Sequence, residues 1–285
     1  MAKKVLYLGN SKWCWTERCT VHAATIQHKN SYLKALADKN EKEIAVTRAA
    51  LLSTPEGIST YNHLTVSKLA QALGRRPNIG LDLDGTTGDF TGGLRSHRAK
   101  GLKLSKEEWL ERLPDPTEYA MWKGPNAWYK DREDFLSNFS QAEAEGIYRA
   151  LPVFDNAPEI LKELKNYGFN IKVITARGAI FNTDTRSWIN THKIPTKTVL
   201  NYGLEKERAK DIDVYIDDAP EVISRLIANK KKVVIMNHLY NESIDPHDSS
   251  RRVKSWDADI VKAIFDLVDE KQTLKNNRKD SLTDS

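Results

Sequence analysis

Apolar and polar positions along residues 78–268 follow a pattern that predicts strands and helices in alternation. Four short apolar runs have the length and the β-branched content of buried strands; they lie at residues 79–83, 169–175, 214–216 and 232–236. The segments between them carry apolar residues at helical spacing, as in the stripe of Ile160, Leu161 and Leu164. This alternation predicts an α/β fold in which helices cover a parallel sheet.

Polar side chains stand at the predicted ends of three of these strands. Asp82 and Asp84 end the first, Thr175 ends the second, and Asp217 and Asp218 end the third. Because the carboxyl ends of parallel strands meet at one edge, the four carboxylates should converge and require a cation. A hard divalent ion such as Mg²⁺ suits oxygen ligands and substrate phosphate. Asp82 would then be a nucleophile toward phosphorus, and Asp84 a proton donor and acceptor.

The same residues carry a resemblance to a known superfamily. The DLDGT run at 82–86, Thr175 and the pair at 217–218 resemble the motifs of haloacid dehalogenase phosphatases. Within that superfamily, the chain is similar to the 5′(3′)-deoxyribonucleotidase (5′-nucleotidase C) family over about residues 78–268. The finer matches are Asp89-Phe90, Gly92-Gly93-Leu94-Arg95, Leu151-Pro152, Trp188, Tyr240-Asn241 and Arg252-Val253-Lys254-Ser255-Trp256.

The resemblance implies a Rossmann-like fold and a set of site residues. It implies a Mg²⁺ site formed by Asp82, the backbone carbonyl of Asp84, Asp217 and Asp218. It also implies that Thr175 donates to a phosphate oxygen and that a lysine opposes the phosphate charge.

The position of that lysine departs from the family pattern. Glu207 stands ten residues before Asp217, where the family usually has the lysine. Lys206 and Lys210 are the two candidates, and Lys206 is favoured because a one-residue insertion would restore it.

Asp84 and Thr175 are 91 residues apart, which exceeds what one connecting helix requires, so an inserted element lies between them. The resemblance makes this element a small helical cap at about residues 95–150, whose aromatic residues enclose a base. Most of these rings should form the core of the cap. Two or three at most are expected to face the ligand, with Phe90 and Trp122 as first choices.

Charge is distributed unevenly along the 285 residues, which have a net charge of +5. Residues 1–77 hold 12 Lys and Arg against 5 Asp and Glu, which predicts a small basic N-terminal module of uncertain role. The phosphatase domain is expected at 78–269, and the polar segment 270–285 is predicted to be a disordered tail.

The N-terminal module gives weaker signals than the main domain. Its 64–76 segment is typical of the first helix of a helix-turn-helix, but the sequence predicts no second helix after it. We therefore favour a helix packed on the main domain over a DNA-binding motif. A weak nucleic-acid contact through its basic residues stays open. The spacing of Cys14, Cys19, His22 and His28 is unlike that of common zinc sites, which favours ordinary thiols and histidines.

Three functions are therefore compared. The leading one is a Mg²⁺-dependent phosphatase acting on nucleoside monophosphates, with deoxyribonucleotides preferred. The alternatives are a polynucleotide end phosphatase and a nucleic-acid-binding or regulatory protein with a vestigial phosphatase domain; the intact carboxylate set argues against the latter.

Two cysteines and the absence of a long apolar run predict a cytoplasmic protein without a membrane span, and the resemblance implies a homodimer.

Overall fold

The computed structural model describes residues 18–38 and 40–269, with the backbone alone at 18–22. The sequence also predicts a strand at residues 3–10, and this segment lies outside the described part of the chain, as do the predicted tail at 270–285 and the side chains of Cys14, Cys19 and His22. The chain divides between Gln71 and Ala72 into two compact units. None of the described helices combines the length and the apolar composition that a bilayer crossing requires.

The N-terminal unit contains α1 (Arg18–Ala37), α2 (Glu41–Leu51) and α3 (Pro55–Leu73). Its buried side chains form a small core of Tyr32, Ala35, Ile44, Leu51 and Tyr61. The helix that the sequence predicts from residue 64 begins earlier, at Pro55. Proline suits the first position of a helix, because a backbone N–H at that position would have no hydrogen-bond partner within the helix. The helix-turn-helix pattern therefore describes the second half of a longer helix.

The described part of the second unit contains one sheet of six strands. They are β1 (Asn78–Leu81), β2 (Asn170–Thr175), β3 (Thr198–Asn201), β4 (Val214–Asp217), β5 (Val233–Met236) and β6 (Ser250–Val253). The order is β3-β2-β1-β4-β5-β6, and every neighbouring pair is parallel. The predicted α/β fold with a parallel sheet is confirmed. Sequence analysis missed β3 and β6, the two outer strands, because neither has a continuous apolar run.

A helical insertion lies between β1 and β2. It contains α4 (Phe90–Gly101), α5 (Lys106–Arg112), α6 (Arg132–Ala144) and α7 (Ile147–Ala150). Its two ends are tied together, because the Asp89 N–H donates to the Pro152 carbonyl at 2.8 Å and the Phe154 N–H to the Thr87 carbonyl at 2.9 Å. The insertion thus begins at Phe90, earlier than the predicted residue 95.

The remaining helices of this unit are α8 (Ala157–Tyr167), α9 (Asn182–Thr191), α10 (Pro220–Ala228) and α11 (Ala258–Val268). Helix α10 buries Val222, Ile223 and Leu226 in a core cluster with residues of β4 and β5. The chain builds outward from β1 in one direction through β2 and β3, and then in the other from β4 to β6. In open parallel sheets, this reversal of strand order is where ligands bind, at the carboxyl ends of the strands.

Candidate active site

The structure brings the predicted strand-end residues together at the carboxyl edge of β1, β2 and β4. Asp82 follows β1, Thr175 is the last residue of β2, and Asp217 is the last residue of β4 with Asp218 next to it. All four are buried, with at most 5% of each residue exposed. Carboxylates in such a position must be paired with cations or hydrogen-bond donors.

Lys206 lies between two of these carboxylates. Its Nζ is 2.7 Å from an oxygen of Asp82 and 2.8 Å from an oxygen of Asp217. The lysine begins a short 3₁₀ turn whose carbonyl at residue 206 accepts from the Tyr215 hydroxyl at 3.2 Å. Lys210, the other candidate from the sequence, is exposed. Of the two candidate lysines, Lys206 therefore lies among the carboxylates of the site, whereas Lys210 lies at the surface.

The three carboxylates carry more negative charge than the lysine balances. Asp82, Asp217 and Asp218 each offer an oxygen within 4.8 Å of the others. Burial, more than the neighbouring carboxylates, raises the pKa of Asp82 to about 7 and that of Asp218 to about 6, and it raises the pKa of Asp217 as well. Burial lowers the Lys206 pKa, but the two adjacent carboxylates outweigh this effect and raise it overall. This buried triad can hold a metal ion.

Asp218 is fixed by hydroxyl donors on both of its oxygens. Thr86 donates to one oxygen at 2.6 Å and Tyr240 donates to the other at 2.5 Å. The Tyr240 ring is stacked on His238, with centroids 4.9 Å apart. Gly85 has a φ of +81°, and a Cβ there would overlap the Asp218 carboxylate, so this position requires glycine.

Asp84 is held by an arginine to which sequence analysis assigned no role. The Arg177 Nε is 2.8 Å from one oxygen of Asp84 and its Nη2 is 2.6 Å from the other. The Arg177 side chain is fully buried, whereas 22% of the Asp84 side chain is exposed. The Arg177 backbone N–H donates to the Thr175 hydroxyl oxygen at 3.1 Å, which leaves the hydrogen of that hydroxyl for another acceptor.

A cavity extends from these charged groups to an aromatic wall supplied by the insertion. Asp82, Asp84 and Lys206 line its charged end. The rings on its wall are Phe90, Tyr119, Phe135, Phe139 and Tyr148. Phe90, one of the two rings that the sequence put forward, thus lines this cavity. Trp122 does not line this cavity; it packs behind Phe135, with ring centroids 5.0 Å apart. Thr175 also stands behind the lining, where it is fully buried.

A family model described as "5' nucleotidase, deoxy (Pyrimidine), cytosolic type C protein" matches residues 76–271. The match spans more than half of the chain and includes every residue of the site described above. The chain belongs to this 5′-nucleotidase family. The chain is a phosphoric monoester hydrolase, and the match confirms the 5′-nucleotidase C family that its motifs indicated.

Two curated relatives of the nucleotidase carry provisional names of the same kind. A Chlorobaculum tepidum protein, provisionally named a 5′(3′)-deoxyribonucleotidase, is 28% identical over 196 residues, which is 65% of this chain and 90% of that protein. An Oceanobacillus iheyensis protein, provisionally named a nucleotidase, is 28% identical over 112 residues, which is 37% of this chain and 58% of that protein.

Solved structures that match the nucleotidase share little of its sequence. A hydrolase of Bacillus subtilis, provisionally assigned to the haloacid dehalogenase group and solved with magnesium bound, is 12% identical with a TM-score of 0.44. That match covers 66% of this chain and 98% of the Bacillus protein.

Sequence analysis left several residues of the site without a role. Tyr240 was within a matched segment, and for Arg177 the available signal was its position two residues after Thr175. Tyr119, Phe135 and Tyr148 gave no such signal, because a helical pattern does not reveal which ring of an insertion faces a cavity.

Proposed function

We propose that the nucleotidase is a Mg²⁺-dependent phosphatase that hydrolyses nucleoside monophosphates, preferably deoxyribonucleotides, through an aspartyl-phosphate on Asp82. The observation that carries this proposal is the buried carboxylate triad beside Lys206, at the charged end of a cavity with an aromatic wall. The description of the family and the provisional name of the Chlorobaculum relative support this substrate class. The word "cytosolic" in that description supports the cytoplasm as its compartment.

The donor set of the triad fits Mg²⁺. The oxygens of Asp82, Asp217 and Asp218 are hard ligands, and their pKa values are raised by burial and mutual repulsion, so a divalent cation would relieve an excess of buried negative charge. These three residues would hold the ion, together with the Asp84 backbone carbonyl that the family resemblance implies. When bound, the ion supplies positive charge that screens the carboxylates from the substrate phosphate.

The residues of this chain can divide the hydrolysis into two displacements. An oxygen of Asp82 attacks phosphorus, the ester P–O bond breaks, and the leaving oxygen takes a proton from Asp84. Water then attacks the phosphorus of the aspartyl-phosphate, Asp84 accepts a water proton, and the bond to Asp82 breaks, which releases inorganic phosphate. The Lys206 ammonium, which is 2.7 Å from Asp82, would bind a phosphoryl oxygen. The family resemblance implies the same role for the Thr175 hydroxyl, at the end of β2.

The aromatic wall supports a nucleotide as the substrate. Phe90 contacts Phe139 edge to face at 5.8 Å, and Phe139 stacks on Phe135 at 5.6 Å, so the rings support one another around the cavity. A nucleobase can stack on such rings whatever its hydrogen-bonding pattern. We therefore expect tolerance among bases, and preference for a mononucleotide over the end of a polynucleotide.

A phosphate-release assay tests the proposal. Its substrates are 5′- and 3′-mononucleotides of both sugars, phosphorylated oligonucleotides and sugar phosphates, each with Mg²⁺ or with EDTA. Wild type should prefer deoxyribonucleoside monophosphates and require Mg²⁺. Asp82→Asn should lower kcat by at least about 10⁴-fold, as the loss of a nucleophile does. Asp248→Asn, the same change at an exposed residue, is the control and should retain full activity.

The intermediate can be detected directly. Borohydride reduces an acyl phosphate to an alcohol, so quenching during turnover should convert Asp82 to homoserine, which peptide mass spectrometry detects. Full turnover by Asp82→Asn would refute the nucleophile, and preference for oligonucleotides would refute the mononucleotide substrate. Inactivity toward the whole panel would favour the binding-protein alternative.

A further inference from the structure

Arg177 and Asp84 form an ion pair with two hydrogen bonds, which fixes their relative orientation more tightly than one hydrogen bond would. Two parallel N–H···O bonds, at 2.8 and 2.6 Å, fix the plane of the Asp84 carboxylate. Each carboxylate oxygen can accept a second hydrogen bond, so both keep an acceptor site after the arginine is bound. Asp84 lines the cavity and is partly exposed there, so these sites are accessible from the cavity.

Arg177 is itself held from several directions. Its guanidinium lies over the Tyr148 ring at 4.5 Å and faces Trp188 at 5.8 Å. Its backbone carbonyl accepts from the Asn201 side chain at 2.8 Å, and its N–H donates to Thr175. A buried arginine fixed in this way can orient a partner without reorganising during the reaction.

Tyr148 connects this arrangement to the wall of the cavity. It belongs to α7, at the end of the insertion, and its hydroxyl donates to Glu143 at 2.9 Å. Its ring lines the same cavity as Asp84 and contacts Phe139 edge to face at 6.4 Å. One ring therefore touches the guanidinium that orients Asp84 and also faces the space where the base would lie.

We propose that Arg177 is a positioning residue that aims the Asp84 carboxylate at the leaving oxygen of the substrate, and that Tyr148 supports it through its aromatic face. This inference rests on the proposed function, because it assigns Asp84 the exchange of protons. It adds a role for Arg177 and links the wall of the cavity to the proton-transfer step.

Kinetics with two leaving groups test the inference. Arg177→Gln should lower kcat for a deoxynucleoside monophosphate by about 10²-fold, with KM changed much less, since a positioned proton donor contributes about 10²- to 10⁴-fold. The loss of kcat/KM, which reports the steps up to departure of the leaving group, should be smaller for 4-nitrophenyl phosphate, whose leaving group departs without a proton. Arg177→Lys, which offers one donor group instead of a planar pair, should lose an intermediate amount. Arg186→Gln, the same change at an exposed arginine of α9, is the control and should match wild type.

A double mutant separates positioning from a general loss of structure. In the Asp84→Asn background, Arg177→Gln should cause little further loss of kcat, because residues that act as a unit are not additive. Equal losses of kcat/KM for both leaving groups, or additive losses in the double mutant, would refute the positioning role.

Tyr148 provides a second route if Arg177→Gln does not fold. Tyr148→Leu removes the aromatic face, whereas Tyr148→Phe keeps it, so Tyr148→Leu should lose more kcat on the nucleotide, and this excess should shrink with 4-nitrophenyl phosphate. Identical losses for the two variants would count against the support from Tyr148.

Wild-type turnover that depends on Asp82 but not on Arg177 overturns this inference and leaves the proposed function intact. No hydrolysis by wild type overturns both.

Discussion

The charged end of the cavity is held together by ion pairs and hydroxyl donors, whereas its aromatic wall is held by contacts between rings. At the charged end, Lys206 bonds two carboxylates and Asp218 receives a hydroxyl on each oxygen. On the wall, Phe135 and Phe139 stack at 5.6 Å, and the neighbouring rings meet edge to face or tilted. The first region depends on specific partners, and the second depends on shape.

This difference sets how each region should respond to substitution. Removing one partner of a buried ion pair leaves a charge without compensation, which costs about 3–5 kcal/mol. An aromatic pair adds only about 0.5–1.5 kcal/mol beyond the area it buries. Single changes at the charged end should therefore have large effects, and single changes in the wall should have graded ones.

Replacing the buried lysine should give the largest effect on stability. Lys206→Met leaves Asp82 and Asp217 buried without their shared cation, so the unfolding free energy of the metal-free protein should fall by about 3–5 kcal/mol. Urea unfolding in EDTA measures this change. Lys210→Met is the matched control at an exposed lysine and should stay within about 0.5 kcal/mol of wild type. The opposite ranking would contradict the placement of Lys206 between Asp82 and Asp217.

The pH dependence of stability tests the excess charge of the triad, with a smaller expected effect. Burial raises the pKa of Asp82 to about 7 and that of Asp218 to about 6, so between about pH 4 and 7 the folded protein holds protons that the unfolded chain has released. Stability then falls as pH rises, and urea unfolding in EDTA should show the unfolding free energy dropping across this window.

Added Mg²⁺ and two variants test the cause of this pH dependence of the unfolding free energy. Mg²⁺ should restore most of the stability at pH 7, because a bound cation replaces the protons. Asp218→Asn should flatten the pH dependence, and Asp248→Asn, at an exposed position, should leave it unchanged. A metal-free protein whose stability rises between pH 4 and 7 would show that Lys206 alone balances the triad.

The residues at the charged end of the cavity could be predicted from the sequence, because each lies next to a recognisable strand. Asp82, Thr175 and Asp217 each lie at the end of a buried apolar run, and parallel pairing brings such ends together. Lys206 was less certain, because its approach to Asp82 depends on a short 3₁₀ turn whose geometry the sequence does not reveal.

The sequence did not reveal which rings face the cavity, and it did not reveal the two outer strands, for different reasons. Whether Trp122 or Phe135 faces the cavity depends on how the inserted helices pack, and all of these rings have similar hydrophobicity. The outer strand β6 (SRRV) carries two arginines and so lacks the apolar run that marks β1. The homodimer and the nucleic-acid contact of residues 1–77 stay predictions.

The smallest effect should come from the wall, where two rings can be compared directly. Phe90 lines the cavity and Trp122 stands behind Phe135, so Phe90→Leu should raise KM for a nucleoside monophosphate more than Trp122→Leu does. Stacking contributes about 1–3 kcal/mol per base, which makes about a tenfold rise reasonable for Phe90→Leu. A sugar phosphate that lacks a base serves as the control substrate, and its KM should change little in either variant. A larger effect at Trp122 would mean that the base lies against a different part of the insertion than the cavity indicates.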